Sequence, residues 1–183
     1  MSTRLTTPDL VVLSLFAEKE QHGYELNAEL ERREVSDWAG VSRPQVYYSL
    51  KKLLERRLIE PAEPASVTLG PDRQVYRITE AGRETLREAL GREHWATQRV
   101  PPPFLTWLAL SPHASREATE EITACRAAFL QERIAAEQHH LSIVRSEADP
   151  LGQVAELMVL YTISECENEL TWLAQARRVL LSE

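Results

Sequence analysis

The chain is poor in glycine and cysteine and has no surplus of positive charge. Six glycines and two cysteines occur in 183 residues, and the formal net charge is −7. No glycine-rich phosphate loop, nucleophile elbow or metal-spaced cysteine pair occurs, so the common signatures of nucleotide hydrolysis, acyl transfer and zinc binding are absent. An enzyme is therefore not expected, nor is a cofactor or a metal. Cys125 and Cys166 do not make a disulfide framework. In a helical hairpin turning near Pro150 they lie 25 and 16 residues from the turn, a mismatch of ~13 Å at 1.5 Å per residue. Both are read as buried free thiols. The early apolar run Leu10 to Ala17 is too short to span a bilayer and lacks a small-residue cleavage site, so a cytosolic, cytoplasmic protein without membrane contact is expected. The acidic balance speaks against non-specific coating of nucleic acid, and any DNA binding must come from a local patch.

What is present is helix-forming. Ala, Glu, Leu and Arg recur in long runs, and the length allows one large domain or two small ones. The segment Val41 to Arg57 stands out. Its Val46, Leu50, Leu53 and Leu54 make the apolar seam of an amphipathic helix. Its other face carries Arg43, Lys51, Lys52, Arg56 and Arg57 against the single acid Glu55. Ser42 is a suitable N-cap, and Pro44 lies in the first turn, where a missing N–H does no harm. The first turn is expected to present Arg43, Gln45, Tyr48 and Ser49 outward. Gln and Arg form paired hydrogen bonds with base edges, whereas Lys and Tyr reach phosphates. The bland alternative is a solvated amphipathic helix.

The neighbours favour the first reading. Thr7-Pro8-Asp9 opens a helix with a hydroxyl cap, a proline and an acid, and Leu10, Leu13, Phe16 and Ala17 form its buried stripe. A second helix carries Tyr24, Leu26, Leu30 and Arg33 before Trp38-Ala39-Gly40 breaks the pattern. Leu58 to Val67 is extended and tolerates its two prolines only on an edge. Gly70-Pro71-Asp72 is a turn and Arg73 to Ile78 a second strand, so a hairpin follows the basic helix as a wing. Thr79 caps a further helix, with Leu86 and Leu90 inward. His22 in the turn before the second helix is read as a structural hydrogen-bonder.

The order of His22-Gly23-Tyr24-Glu25-Leu26, Ser42 with Tyr47, Leu50 and Lys51-Lys52-Leu53, Leu58-Ile59, and Tyr76-Arg77-Ile78-Thr79-Glu80-Ala81-Gly82-Arg83 resembles the PadR-like family of winged-helix transcriptional regulators. The resemblance covers about Leu10 to Leu90. Pro44, Gln45 and Tyr48 depart from the family's usual residues on the base-reading face, so the operator sequence does not follow by analogy. The resemblance implies double-stranded DNA as partner, an inverted-repeat operator, and release by a small, often phenolic or aromatic, ligand.

Val100-Pro101-Pro102-Pro103 is a stiff break. Beyond it Phe104 to Leu110 is a short apolar helix closed by Ser111-Pro112, and two long helices, about Ser115 to Ala148 and Leu151 to Leu181, flank a turn at Asp149-Pro150-Leu151-Gly152. Each long helix carries two apolar faces. In the first they are Ile122, Cys125, Phe129, Ala136, Ile143 and Val144, and Leu130, Ile134 and Leu141. In the second they are Val159, Ile163, Cys166, Leu170, Leu173 and Leu180, and Val154, Met158, Tyr161, Trp172 and Val179. One hairpin buries one stripe of each, and the other asks for a second subunit. His139-His140 cannot grip one ion, because adjacent helical side chains diverge by about 100°.

The expected fold is mainly α with a small β-hairpin: a winged helix-turn-helix DNA-binding domain over residues 1–95 and a helical dimerisation domain over 101–183. The expected function is that of a homodimeric DNA-binding repressor. A helical protein-interaction module using the same fold without DNA is the competing class. The DNA-binding set is Ser42, Arg43, Gln45, Tyr47, Tyr48, Ser49, Lys51, Lys52 and the wing residue Arg73. Trp107, Tyr161 and Trp172 are the candidate ligand-binding residues.

Overall fold

A computed structural model of the chain describes residues 4–62, 74–98, 102–145 and 150–182. It divides into two compact units, Met1–Arg99 and Val100–Glu183. None of the helices among the described residues is long and apolar enough to cross a membrane.

The first unit is built around α1 (Thr7–Glu18), a helix whose Leu10, Val11, Val12, Leu13, Leu15 and Phe16 are all buried. Its N-cap is Thr6, one residue earlier than the sequence suggests. The Thr6 N–H donates to the Asp9 carboxylate at 2.8 Å, and Pro8 sits in the first turn, where no N–H is needed. Packed on α1 are α4 (Arg43–Glu55) and α5 (Glu80–Leu90), with α2 (Glu25–Arg32), α3 (Val35–Ala39) and the short α6 (His94–Thr97) completing the helices described. Leu26, Val35, Val46, Leu53, Leu58, Ile59 and Ile78 close the core around α1.

Among the described residues three strands, and not a two-stranded hairpin, form the sheet. β1 (Gln21–His22), β2 (Ile59–Pro61) and β3 (Val75–Ile78) pair antiparallel in the order β1-β3-β2. Gln21 faces Tyr76 and Ile59 faces Ile78. Two residues are too few to show alternation, which is why β1 escapes a pattern reading. Pro61 lies on an edge strand, where its missing N–H is harmless. The expected wing turn at Gly70 to Asp72, with Arg73, lies outside the described residues.

Two helix expectations need correction. The second helix ends at Arg32 with Arg33 as its C-cap, and Glu34 turns the chain through a left-handed conformation (φ 49°) into α3, which holds Trp38 and Ala39. A non-glycine residue at positive φ gives no signal in residue type. In α5 it is Ala89 that is buried, at 3 % exposure, while Leu90 is 57 % exposed, because Leu90 is the last helical residue before Gly91 and points off the packed face. Thr79 caps α5, accepting the Gly82 N–H at 3.0 Å and donating to the Arg57 carbonyl at 2.9 Å. Gly82 is required there: a Cβ would stand 2.1 Å from the Leu58 carbonyl oxygen.

The second unit contains α7 (Pro103–Leu110), a 3-10 turn (Ser111–His113), α8 (Arg116–Val144) and α9 (Pro150–Leu180). Pro150 starts α9, so Leu151 and Gly152 belong to the helix and not to the turn; Asp149 lies outside the described residues. Along α8 the buried residues Thr123, Leu130, Glu137 and Val144 recur every seven, the period of a supercoiled seam. Helix α9 packs against α8, and its Val159, Ile163, Cys166 and Leu173 are likewise buried. Arg126 locks the pair with a bidentate ion pair to Glu169, both bonds at 2.8 Å. The seam takes Val144 away from the stripe of Ile122, Phe129 and Ile143, which remain exposed. Cys166 is buried, but Cys125 shares that outward stripe and is exposed.

Candidate nucleic-acid interface

Helix α4 begins at a reciprocal cap. The Ser42 N–H donates to Gln45 Oε1 at 2.8 Å, and the Ser42 hydroxyl donates to the same oxygen at 2.9 Å. Pro44 needs no N–H in this first turn. Val46 and Leu53 are buried, as expected, and they fix which side of the helix faces out. That outer side carries Ser42, Arg43, Gln45, Tyr47, Tyr48 and Lys51, all exposed. Tyr48 is 69 % exposed. The Lys51 side chain is equally open, with only a loose 3.9 Å approach to Glu55.

Two members of the expected set lie elsewhere. Ser49 is buried, and its hydroxyl donates to Asp9 Oδ1 at 2.8 Å. Lys52 reaches inward to the other oxygen of Asp9, with its side chain only 15 % exposed. Both positions fall toward α1, because the packed stripe of α4 is wider than its apolar residues suggest. Burial alone pushes the Asp9 carboxyl up, but Lys52, the Thr6 N–H and Ser49 outweigh it and hold it below its ordinary value. Asp9 is thus the anchor that ties the start of α1 to the middle of α4. Nothing in its local sequence distinguishes it from an ordinary first-turn acid.

The outer side is braced from α2. Asn27 Nδ2 donates to the Tyr47 hydroxyl at 3.1 Å, and Arg43 pairs with Glu31. The Arg43–Glu31 pair is exposed at both ends and screened by solvent, so a phosphate can displace the carboxylate at little cost. Asn27 is a residue the sequence reading missed. Its spacing from Tyr47 becomes meaningful only once the two helices are packed.

A helix anchored on one side and presenting an amide, two phenols and cations on the other is a surface suited to nucleic acid. A model of the transcriptional regulator PadR-like family matches residues 12–88. The chain belongs to the PadR-like family. The match runs from α1 through α5 and includes all of α4. PadR-like proteins are DNA-binding transcriptional regulators and not enzymes. A protein of Lysinibacillus sphaericus, described only as uncharacterised, is 31 % identical over 88 residues, which are 48 % of this chain and 77 % of that one. Bacillus subtilis PadR solved with p-coumaric acid superposes with a TM-score of 0.79 at 17 % identity, covering 97 % of this chain and 100 % of that one. The same protein solved with operator DNA gives a TM-score of 0.74 at 19 % identity, covering 94 % and 98 %. At such identities the likeness is one of fold, that of the PadR winged-helix regulators.

The three candidate ligand residues are not gathered within one chain. Trp107 stacks on Phe104 with ring centroids 5.1 Å apart, and Phe104 also lies beneath the Arg126 guanidinium. Tyr161 is exposed and donates to Glu165 at 2.9 Å. Trp172 is half-buried on α9, and its eleven-residue separation from Tyr161 corresponds to roughly 16 Å along the axis.

Proposed function

We propose that the chain is a homodimeric repressor that holds an inverted-repeat duplex through α4 and releases it when a small aromatic ligand binds. The observation that carries this reading is the outward side of α4, where Arg43, Gln45, Tyr47, Tyr48 and Lys51 share one exposed surface on a helix pinned by Asp9. The first turn enters the major groove, so Gln45 and Tyr48 meet base edges, while Arg43, Tyr47 and Lys51 meet phosphates. Arg73 of the wing contacts the flanking backbone. Ser42 serves the cap, and Ser49 and Lys52 hold α4 in place without touching DNA. The B. subtilis PadR–operator complex supports the DNA part of this reading, and the p-coumaric acid complex supports the ligand part.

A second copy is supported by an apolar row on α9. Leu151, Val154, Leu157 and Tyr161 are all more than half exposed and follow helical spacing along one side. In an inverted repeat the two half-sites read by such a dimer lie one DNA turn apart, ~34–36 Å, or a multiple of that.

Binding titrations on duplex DNA across a range of salt test the assignment. Lys51→Ala is expected to weaken all sequences alike and lower the slope of log affinity against log salt by about 1. Equal slopes in the wild type and Lys51→Ala would remove Lys51 from the interface. Repeated with aromatic carboxylic acids, the titration is expected to lose affinity over the concentrations that quench tryptophan fluorescence. Quenching with unchanged operator affinity contradicts the release mechanism, since a ligand with equal affinity for both states shifts nothing.

A further inference from the structure

The cap of α4 restricts what Gln45 can read. Its side-chain oxygen accepts both the Ser42 N–H, at 2.8 Å, and the Ser42 hydroxyl, at 2.9 Å. A backbone N–H is only a donor, so the group facing it must be the oxygen of the amide and not its nitrogen. Gln45 is therefore turned with its carbonyl into the cap and its NH2 outward, on an exposed first turn. A glutamine paired with adenine needs both ends of the amide, the oxygen for N6–H and the nitrogen for N7. Here the oxygen is already in use. Two N–H donors remain, and the base edge that offers two adjacent acceptors in the major groove is that of guanine, with O6 and N7. Cytosine presents a donor at the same depth and is repelled.

We infer that Gln45 selects guanine through its amide hydrogens while its oxygen stays in the helix cap. This rests on the reading that the first turn of α4 lies in the major groove, and adds the identity of the base. Turning the carbonyl to adenine would take the Ser42 N–H's partner away and open the cap at the point where the helix enters the groove.

The experiment is selection of duplexes from a random pool by the full-length wild type, Gln45→Ala and Gln45→Glu. The wild type is expected to enrich guanine at one position of each half-site, and Gln45→Ala to lose preference at that position alone. Gln45→Glu keeps an oxygen for the cap but turns an acceptor outward, so enrichment there is expected to move to cytosine, whose amino group donates. In the selected site, 7-deazaguanine at that position removes the N7 acceptor but keeps O6, and is expected to lower wild-type affinity by roughly 2- to 13-fold, the loss of one of the two hydrogen bonds. The same replacement is expected to leave Gln45→Ala unaffected. Hypoxanthine keeps both acceptors and is expected to bind as guanine does. Enrichment of adenine at the Gln45 position, or a Gln45→Ala profile identical to the wild type, overturns the inference while leaving DNA binding intact. A wild type that retains no duplex overturns the groove reading, and this inference with it.

Discussion

Asp9→Ala is expected to cost about 3–5 kcal/mol of folding stability, the range for breaking a buried ion pair, although the residue lies far along the chain from α4. Asp9 is fully buried and accepts from Thr6, Ser49 and Lys52, so its removal strands a hydroxyl and a lysine in the packed face of α4. Chemical denaturation of the two proteins measures the loss. Asp9→Leu combined with Lys52→Met is expected to recover much of it, because a buried pair exchanged for apolar groups of similar volume is close to neutral. Acid provides an independent reading of the same contact. The folded chain holds the Asp9 carboxyl below its ordinary value of 3.8. Its contribution is therefore complete above that value and is lost as the pH falls through the lower folded one. A stability difference between wild type and Asp9→Ala that stays constant from neutrality to strong acid would contradict the role given to this carboxylate.

The second large effect is expected on α9. Val154→Glu with Leu157→Glu places two charges in the row of exposed apolar residues, 54 % and 67 % exposed in the isolated chain. Neither residue belongs to the buried seam with α8, so the fold is expected to survive while the dimer does not. Two linked half-sites bind with a gain of ~10²–10⁴ over one. Affinity for the inverted repeat is expected to fall by that factor, with affinity for a single half-site unchanged. Sedimentation reads the oligomeric state, and a variant that remains dimeric would place the subunit contact elsewhere.

The parts of the fold legible in the sequence are those governed by short-range rules. Ser42 and Thr79 stand where a hydroxyl cap is needed, Pro61 where an edge strand tolerates it, and Val46 and Leu53 at the spacing that identifies the buried side of α4. The misreadings on α4 share one cause. Ser49 and Lys52 are polar, and polarity on a helix is read as exposure unless a buried partner is known. Their partner lies 40 and 43 residues away in the chain. The same holds for Asn27 and Tyr47, and for β1, a strand defined only by its pairing with β3. In the second unit the two apolar faces of each long helix are legible, but which face turns inward depends on the register of α8 against α9. That register gives the inner place to Glu137, a charged residue paired with Arg133, and leaves Phe129 outside.

The proposal that a dimer reads DNA through α4 is tested most directly by recovering and sequencing the fragments that the purified protein retains from randomly sheared genomic DNA. The expected result is a two-fold symmetric motif whose half-site centres lie ~10–10.5 base pairs apart, or a multiple of that, and which Gln45→Ala retains with reduced selectivity. No enrichment, or enrichment of a motif without two-fold symmetry, would contradict it.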